Sequence, residues 1–246
     1  MSAPHDLPRL YSELCSWWPV LSRPADYAEE AEACRELLEQ ECQRPLRTVL
    51  ELGCGGGNNA SHLKRHFSMT LTDRSPGMLR VSQALNPGCE HALGDMRTLR
   101  LGRRFDAVFV HDAVMYMVTR DDLRQAIATA HAHCQPGGVA LFAPDATRES
   151  FRPSTRHGGH DAGDRSLRYL EWSVDPDPAG TWYETHFAYL LQQASGPVRC
   201  EYDRHVRGLF DRGAWLALIA EAGFTPKATG YEHSEAGSLP VFLGLA

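Results

Sequence analysis

Val49-Leu50-Glu51-Leu52-Gly53-Cys54-Gly55-Gly56-Gly57-Asn58-Asn59 decides the reading of this 246-residue chain. An apolar β-run, Thr48 to Leu50, ends in a carboxylate and passes into a glycine-crowded turn; a helix-like segment follows from Ala60 to Phe67. Glycine serves such a turn in two ways. It permits positive φ in a tight strand-to-helix connection, and without a Cβ it lets the backbone approach a ligand closely. A second β-run, Ser68 to Thr72, ends at Asp73, so the stretch opens a βαβ unit of the kind that grips a nucleoside. A dinucleotide fingerprint needs Gly-x-Gly-x-x-Gly, and counted from Gly53 its third glycine falls on Asn58. No Gly-Lys-Ser/Thr follows, so the phosphate-binding loop fails as well. Glu51 would aim a negative charge at any phosphate held in the turn. A carboxylate there suits a cationic or ammonium-bearing ligand.

Glu-x-Gly-x-Gly-x-Gly closing a first strand resembles motif I of the class I S-adenosylmethionine (SAM)-dependent methyltransferases, and four further segments extend the resemblance. Asp73, twenty residues after Gly53, stands where that family binds both ribose hydroxyls. Behind it, in Arg74-Ser75-Pro76-Gly77-Met78-Leu79, Ser75 reads as a helix N-cap and Pro76 as the first helical residue. Gly94-Asp95-Met96 is similar to the segment that covers the adenine. Phe105 to His111 resembles the fourth strand, and Pro136-Gly137-Gly138 with Val139 to Phe142 the turn into the fifth. The resemblance spans Thr48 to Ala143. It implies that Glu51, Gly53, Gly55, Asn58, Asp73, Arg74, Met78, Asp95, Met96 and His111 bind the cofactor, with S-adenosylhomocysteine as its product.

Composition limits the partners. With 31 acidic against 25 basic residues the net charge is −6, and no basic stripe appears, which disfavours a nucleic-acid partner. Seven dispersed cysteines without a Cys-x-x-Cys pair read as reduced thiols of a cytoplasmic protein. No apolar run approaches membrane-spanning length, so no membrane partner is expected. The oligomeric state is not legible.

The chain reads as one α/β domain, 1–246, in four parts. Residues 1–45 form an N-terminal helical cap carrying Tyr11, Trp17 and Trp18, with an amphipathic helix over 25–42. Residues 46–145 form the SAM-binding core, a mostly parallel, Rossmann-like sheet with helices over 58–66, 76–85 and 120–135. Residues 146–208 interrupt the alternation. Thr147 to Arg165 reads as a mobile Gly/His/Arg-rich loop, and three β-like runs (167–174, 181–192, 198–209) read as an inserted antiparallel three-stranded sheet. Residues 209–246 return to a helix and a final strand pair, completing seven strands.

An inserted sheet over the active mouth is typical of small-molecule methyltransferases, and the chain looks most similar to sugar and other natural-product N-methyltransferases. The resemblance therefore implies methylation of a small natural-product acceptor, N-methylation being preferred over O-methylation. A protein or RNA methyltransferase, or a non-catalytic SAM-binding partner protein, is the alternative. Methyl transfer needs mainly alignment in a dry site, and a hydroxyl acceptor adds the need for a base. His111, His186 and Tyr11 are the catalytic candidates. His111 ends the fourth strand, where shaping the SAM pocket competes with catalysis; His186 is either a base or an outward-facing polar residue; Tyr11 stands where similar small-molecule enzymes place a lid residue. Asp112, Tyr116, Glu171, Trp172, Tyr183 and Arg204 stand near the same mouth. His157-Gly158-Gly159-His160-Asp161 carries ligand-like residues without preset geometry, and no metal site is expected.

Overall fold

The computed structural model describes residues 7–234 and 237–246. Residues 1–6 of the expected cap lie outside them. The rest of the cap comprises three 3₁₀ turns, Arg9–Tyr11, Cys15–Trp17 and Pro24–Tyr27, with a short helix α1 (Trp18–Leu21) and a longer α2 (Ala28–Glu41). The core follows as β1 (Thr48–Leu52), α3 (Asn58–Leu63), β2 (Ser68–Asp73), α4 (Pro76–Leu85), β3 (Glu90–Leu93), β4 (Phe105–Val110), α5 (Arg120–His133) and β5 (Cys134–Phe142). Four strands intervene, β6 (Ser154–Ala162), β7 (Arg165–Val174), β8 (Trp182–Gln193) and β9 (Arg199–Gly208). The chain ends in α6 (Arg212–Glu221), β10 (Thr225–His233) and β11 (Gly237–Leu245).

Seven strands form one sheet in the order β10-β11-β5-β4-β1-β2-β3. Strand β11 is antiparallel to both neighbours, while the β5-β4-β1-β2-β3 ladder is parallel. This is the mostly parallel, Rossmann-like sheet that the resemblance implies. Its central strands are buried on both faces, as a covered parallel sheet requires. Leu50, Val108, Val110 and Phe142 face α5 and α6 through Leu123, Ile127, Leu218 and Ile219. Alternate residues Val49, Phe109 and Leu141 face α2 and α3 through Cys34, Leu38 and Leu63. Local chemistry starts the helices where the sequence indicates. Ser75 Oγ accepts from Met78 N at 3.1 Å, and Thr119 Oγ1 accepts from Asp122 N at 3.0 Å; each such cap stabilises its helix by about 1 kcal/mol.

The inserted sheet has four strands, not three, in the order β6-β7-β8-β9. The segment read as a mobile loop from Thr147 to Arg165 contains β6, paired antiparallel with β7 over nine residues. Its glycines misled for a physical reason. A Cβ on Gly158 would lie 3.0 Å from the Tyr169 ring, and one on Gly159 would overlap the Leu167 carbonyl, so Gly marks close strand packing here rather than a turn. As an edge strand β6 also lacks apolar alternation. Likewise α5 ends at His133, and Pro136-Gly137-Gly138 lies inside β5 instead of stopping the helix. The β4–β5 register shifts there, and a Cβ on Gly138 would meet the Asp106 carbonyl at 2.5 Å.

The inner face of the inserted sheet packs on the N-terminal cap through Leu10, Leu14, Trp17 and Val20 against Leu167, Phe187, Tyr189 and Leu191. The two covers meet above the carboxyl ends of the parallel strands. No helix among the described residues is long and apolar enough to cross a membrane.

Candidate active site at the carboxyl ends of the sheet

Glu51 is the penultimate residue of β1 and only 3% exposed. The turn after it hangs from β2, because Gly53 N and Cys54 N both donate to the Thr72 carbonyl at 2.8 and 2.9 Å. Gly53 takes φ +76°, and a Cβ there would overlap Ala113 and come within 2.8 Å of Met96 Cε. The site thus requires glycine twice over, for its φ and for its space. Asp73 closes the turn from β2: its Oδ2 accepts from Gly55 N at 2.9 Å and its Oδ1 from Ser75 N at 2.7 Å. Burial raises the pKa of Asp73, and these two bonds oppose it. Glu51 has no such relief. Its Oε2 is buried with no hydrogen-bond partner, and burial pushes the carboxyl up to about 8 against the pull of His111. A buried carboxylate oxygen without a donor is a costly feature that a cation would satisfy.

The remaining cofactor candidates divide. Arg74, Asp95, Met96 and His111 line the same cavity as Glu51, Gly53, Gly55 and Asp73. Arg97 grips Asp95 through Nε at 3.0 Å and Nη2 at 2.6 Å, and its Nη1 reaches Asp122 at 2.8 Å, so a second ion pair holds the Asp95 segment to α5. Asn58 touches the cavity, but its Nδ2 donates to Ser22 O and Oγ, both at 3.2 Å, tying α3 to the cap. Met78 does not line the cavity; it is buried beneath Gly55.

His111 is clamped between carboxylates, with Nδ1 3.0 Å from Asp112 and Nε2 3.5 Å from Glu30. Burial favours the neutral ring, but Asp112 and Glu30 outweigh it and raise the pKa to about 10. Asp112 opens onto the cavity, with nearly half its side chain accessible, so the His111 cation governs it more than desolvation does and holds it well below the usual carboxylate range. Behind it, burial and the Asp112 charge raise the pKa of Asp145, which hydrogen-bonds Asp112, against the pull of Arg207 and His111. Arg207 Nη1 donates to Asp145 Oδ2 at 2.8 Å.

The catalytic candidates are not brought together. Tyr11 lines the cavity beside Tyr116, their hydroxyls 3.1 Å apart and their rings edge-on. His186 lies on the outer face of the inserted sheet, between Trp172 and Tyr202, with Nδ1 2.7 Å from Tyr202 Oη and Nε2 3.0 Å from Glu184. It is absent from the cavity wall, as are Glu171, Trp172 and Tyr183. Arg204 sits at the rim, paired with Glu184. Sequence reading missed Asp203, His205 and Arg207, alternate residues of β9 that turn inward. Their signal was available: three polar residues at period two on the strand face that packs inward carry no packing role of their own.

The cavity measures about 1070 Å³, above the roughly 300–1,000 Å³ that one small ligand occupies, which suits a donor and an acceptor side by side. Residues 49–138 match the model of a methyltransferase domain. Over 225 residues the chain is 30% identical to a dTDP-3-amino-3,4,6-trideoxy-alpha-D-glucopyranose N,N-dimethyltransferase of Streptomyces venezuelae, covering 88% of this chain and 89% of that one. It is 27% identical to a dTDP-3-amino-3,6-dideoxy-alpha-D-glucopyranose N,N-dimethyltransferase of Streptomyces fradiae, covering 81% and 78%. The fold superposes on the sugar N-methyltransferase KedS8 from Streptoalloteichus sp. with a TM-score of 0.81 and 25% identity, covering 100% and 96% of the two chains. With its motif turn, its sheet order and these relatives, the chain belongs to the class I SAM-dependent methyltransferases and resembles the natural-product sugar N-methyltransferases among them.

Proposed function

We propose that this enzyme transfers methyl groups from SAM to the amine of a sugar-like small molecule. The observation that carries the amine is Asp112. A cationic acceptor entering beside the donor site meets this ionised carboxylate open to the cavity, whereas His111, the cation next to it, is already neutralised on both ring nitrogens. An amino-sugar acceptor also agrees with the names of the relatives.

The donor end fits SAM. The unpartnered Glu51 oxygen suits the methionyl ammonium, the Gly53–Gly55 backbone admits the methionyl chain, Asp73 keeps lone pairs for the ribose hydroxyls, and Asp95 with Met96 takes the adenine. His111 acts by position, holding Glu30 and Asp112 in place, and its protonated state disqualifies it as a base. Bound SAM supplies an electrophilic methyl group on a sulfonium. The protein then contributes alignment and exclusion of water: Tyr11 and Tyr116 wall the acceptor space, and the inserted sheet covers it. His186, facing outward, has no part in this.

The reading is tested with isotope-labelled SAM and dTDP-3-amino-3,4,6-trideoxy-alpha-D-glucopyranose, followed by mass spectrometry. Labelled methyl on the sugar nitrogen is expected. Label on an oxygen, or only on protein or RNA from an extract, refutes it.

A further inference from the structure

Two consecutive tryptophans of the cap are split between two environments. Trp17 is buried in the apolar contact with the inserted sheet, whereas Trp18 turns its indole to the cavity wall beside Tyr11, the ring centroids 5.8 Å apart. The indole N–H edge of Trp18 lies on the motif turn: a Cβ on Gly56 would come within 2.2 Å of Trp18 Nε1. Gly53, Gly55 and Gly57 take positive φ and Gly56 does not. Glycine at 56 therefore serves space rather than backbone conformation, and the indole takes up that space.

Three buried polar side-chain atoms of the cavity wall have no hydrogen-bond partner among the described residues: Trp18 Nε1 from the cap, Glu51 Oε2 from β1 and Asn59 Oδ1 from α3. Asn59 is 5% exposed, and its amide orientation is set from behind, because Nδ2 donates to Glu30 Oε1 at 3.1 Å and leaves Oδ1 over. Buried polar groups are ordinarily paired, so three orphans in one wall point to a ligand.

We propose that these three atoms form a recognition site for an α-amino-acid zwitterion: the Trp18 indole N–H takes the methionyl carboxylate of the donor, and Asn59 Oδ1 joins Glu51 in taking its ammonium. This rests on the donor end as assigned above. The orientation follows from the donor and acceptor inventory. An indole N–H only donates, while an amide oxygen and an ionised carboxylate only accept. The ammonium therefore faces Glu51 and Asn59 and the carboxylate faces Trp18; the reverse would set one carboxylate against another. A neutral donor also suits this place. An arginine there would pair with Glu51 and cancel the charge kept for the ammonium, whereas an indole binds a carboxylate and leaves Glu51 free.

The first test titrates the unaltered protein. In a ¹H–¹⁵N spectrum the Trp18 indole resonance, assigned through backbone connectivity, should move downfield with SAM. It should hold its position with decarboxylated SAM, which keeps the sulfonium and the ammonium. A Trp18 resonance that SAM leaves in place, or that both ligands move alike, overturns the proposal. Calorimetric Kd values for three ligands then separate the atoms. Trp18→Phe should weaken SAM about 10-fold and decarboxylated SAM less than twofold. Asn59→Ala should weaken both about 10-fold and leave 5′-methylthioadenosine, which lacks the whole amino-acid end, within twofold. Equal losses for all three ligands mark a packing role and overturn the site, as does no loss for SAM. Glu51→Gln keeps the two readings apart. Unchanged SAM affinity in that variant overturns the donor assignment as a whole, whereas a loss there without one in Trp18→Phe overturns the carboxylate site alone.

Discussion

Glu51→Gln tests whether the first-strand carboxylate is kept for a ligand at the expense of stability. In the folded chain this carboxyl ionises at about 8, against 4.5 for its ordinary value. The folded protein therefore binds the proton more tightly than the unfolded chain. Below pH 4.5 both states are protonated and the residue costs nothing. As pH rises toward 8, stability falls by about 1.4 kcal/mol per unit, because the unfolded chain gives up its proton while the buried carboxyl, next to no donor, keeps it. At pH 7 this comes to about 3 kcal/mol, with the attraction of His111 already contained in the folded value. Glutamine keeps the shape and never ionises, so the variant without cofactor should be more stable by about 3 kcal/mol, a Tm increase of about 6–12 °C for a chain of this size. The gain should vanish at pH 4.5 and be largest at pH 8. SAM affinity should move the other way, weakening about 10- to 100-fold as a charge-assisted hydrogen bond is lost. Thermal melts at pH 4.5, 7 and 8 with calorimetric titration of SAM decide the matter. A variant that melts lower than the parent at pH 7, or one with unchanged SAM affinity, refutes the reasoning.

Asp73→Ala should weaken SAM binding by about 1–3 kcal/mol, roughly 5- to 150-fold; an unchanged Kd sinks the ribose assignment. Gly53→Ala forces a side chain into positive φ against Ala113 and Met96, so the Tm should fall by the equivalent of about 1–3 kcal/mol, with SAM binding lost. His186→Ala removes an outward-facing contact with Glu184 and should leave kcat/KM within about twofold and stability within about 1 kcal/mol; a large drop in kcat would return this residue to the chemistry.

The donor site was legible because its parts are local. Glu51, Gly53 and Gly55 lie within five residues of one strand and turn, and the end of a neighbouring strand delivers Asp73. The caps at Ser75 and Thr119 were legible for the same reason, since a cap involves atoms three residues apart. Composition misled where glycine had two meanings. In motif I it permits a tight positive-φ turn, whereas in β6 it permits close strand packing, at Gly159 with φ +152° inside a paired strand, and single-letter spacing does not separate these.

By itself, the sequence determined the parallel core, the glycine turn and the acid that closes it, because hydrophobic period, turn chemistry and capping act over a few residues. Only the tertiary structure decided which polar groups share a hydrogen-bonded chain. Tyr11, Tyr116, Asp203 and His205 come from three distant segments and meet because the cap and the inserted sheet bury a common apolar face, through Leu10 and Leu14 against Phe187 and Tyr189. That burial excludes water, so the polar groups enclosed with it must bond one another. The same physics turned His186 away: residues alternate across a strand, and one step along β8 separates the buried Phe187 from the outer face.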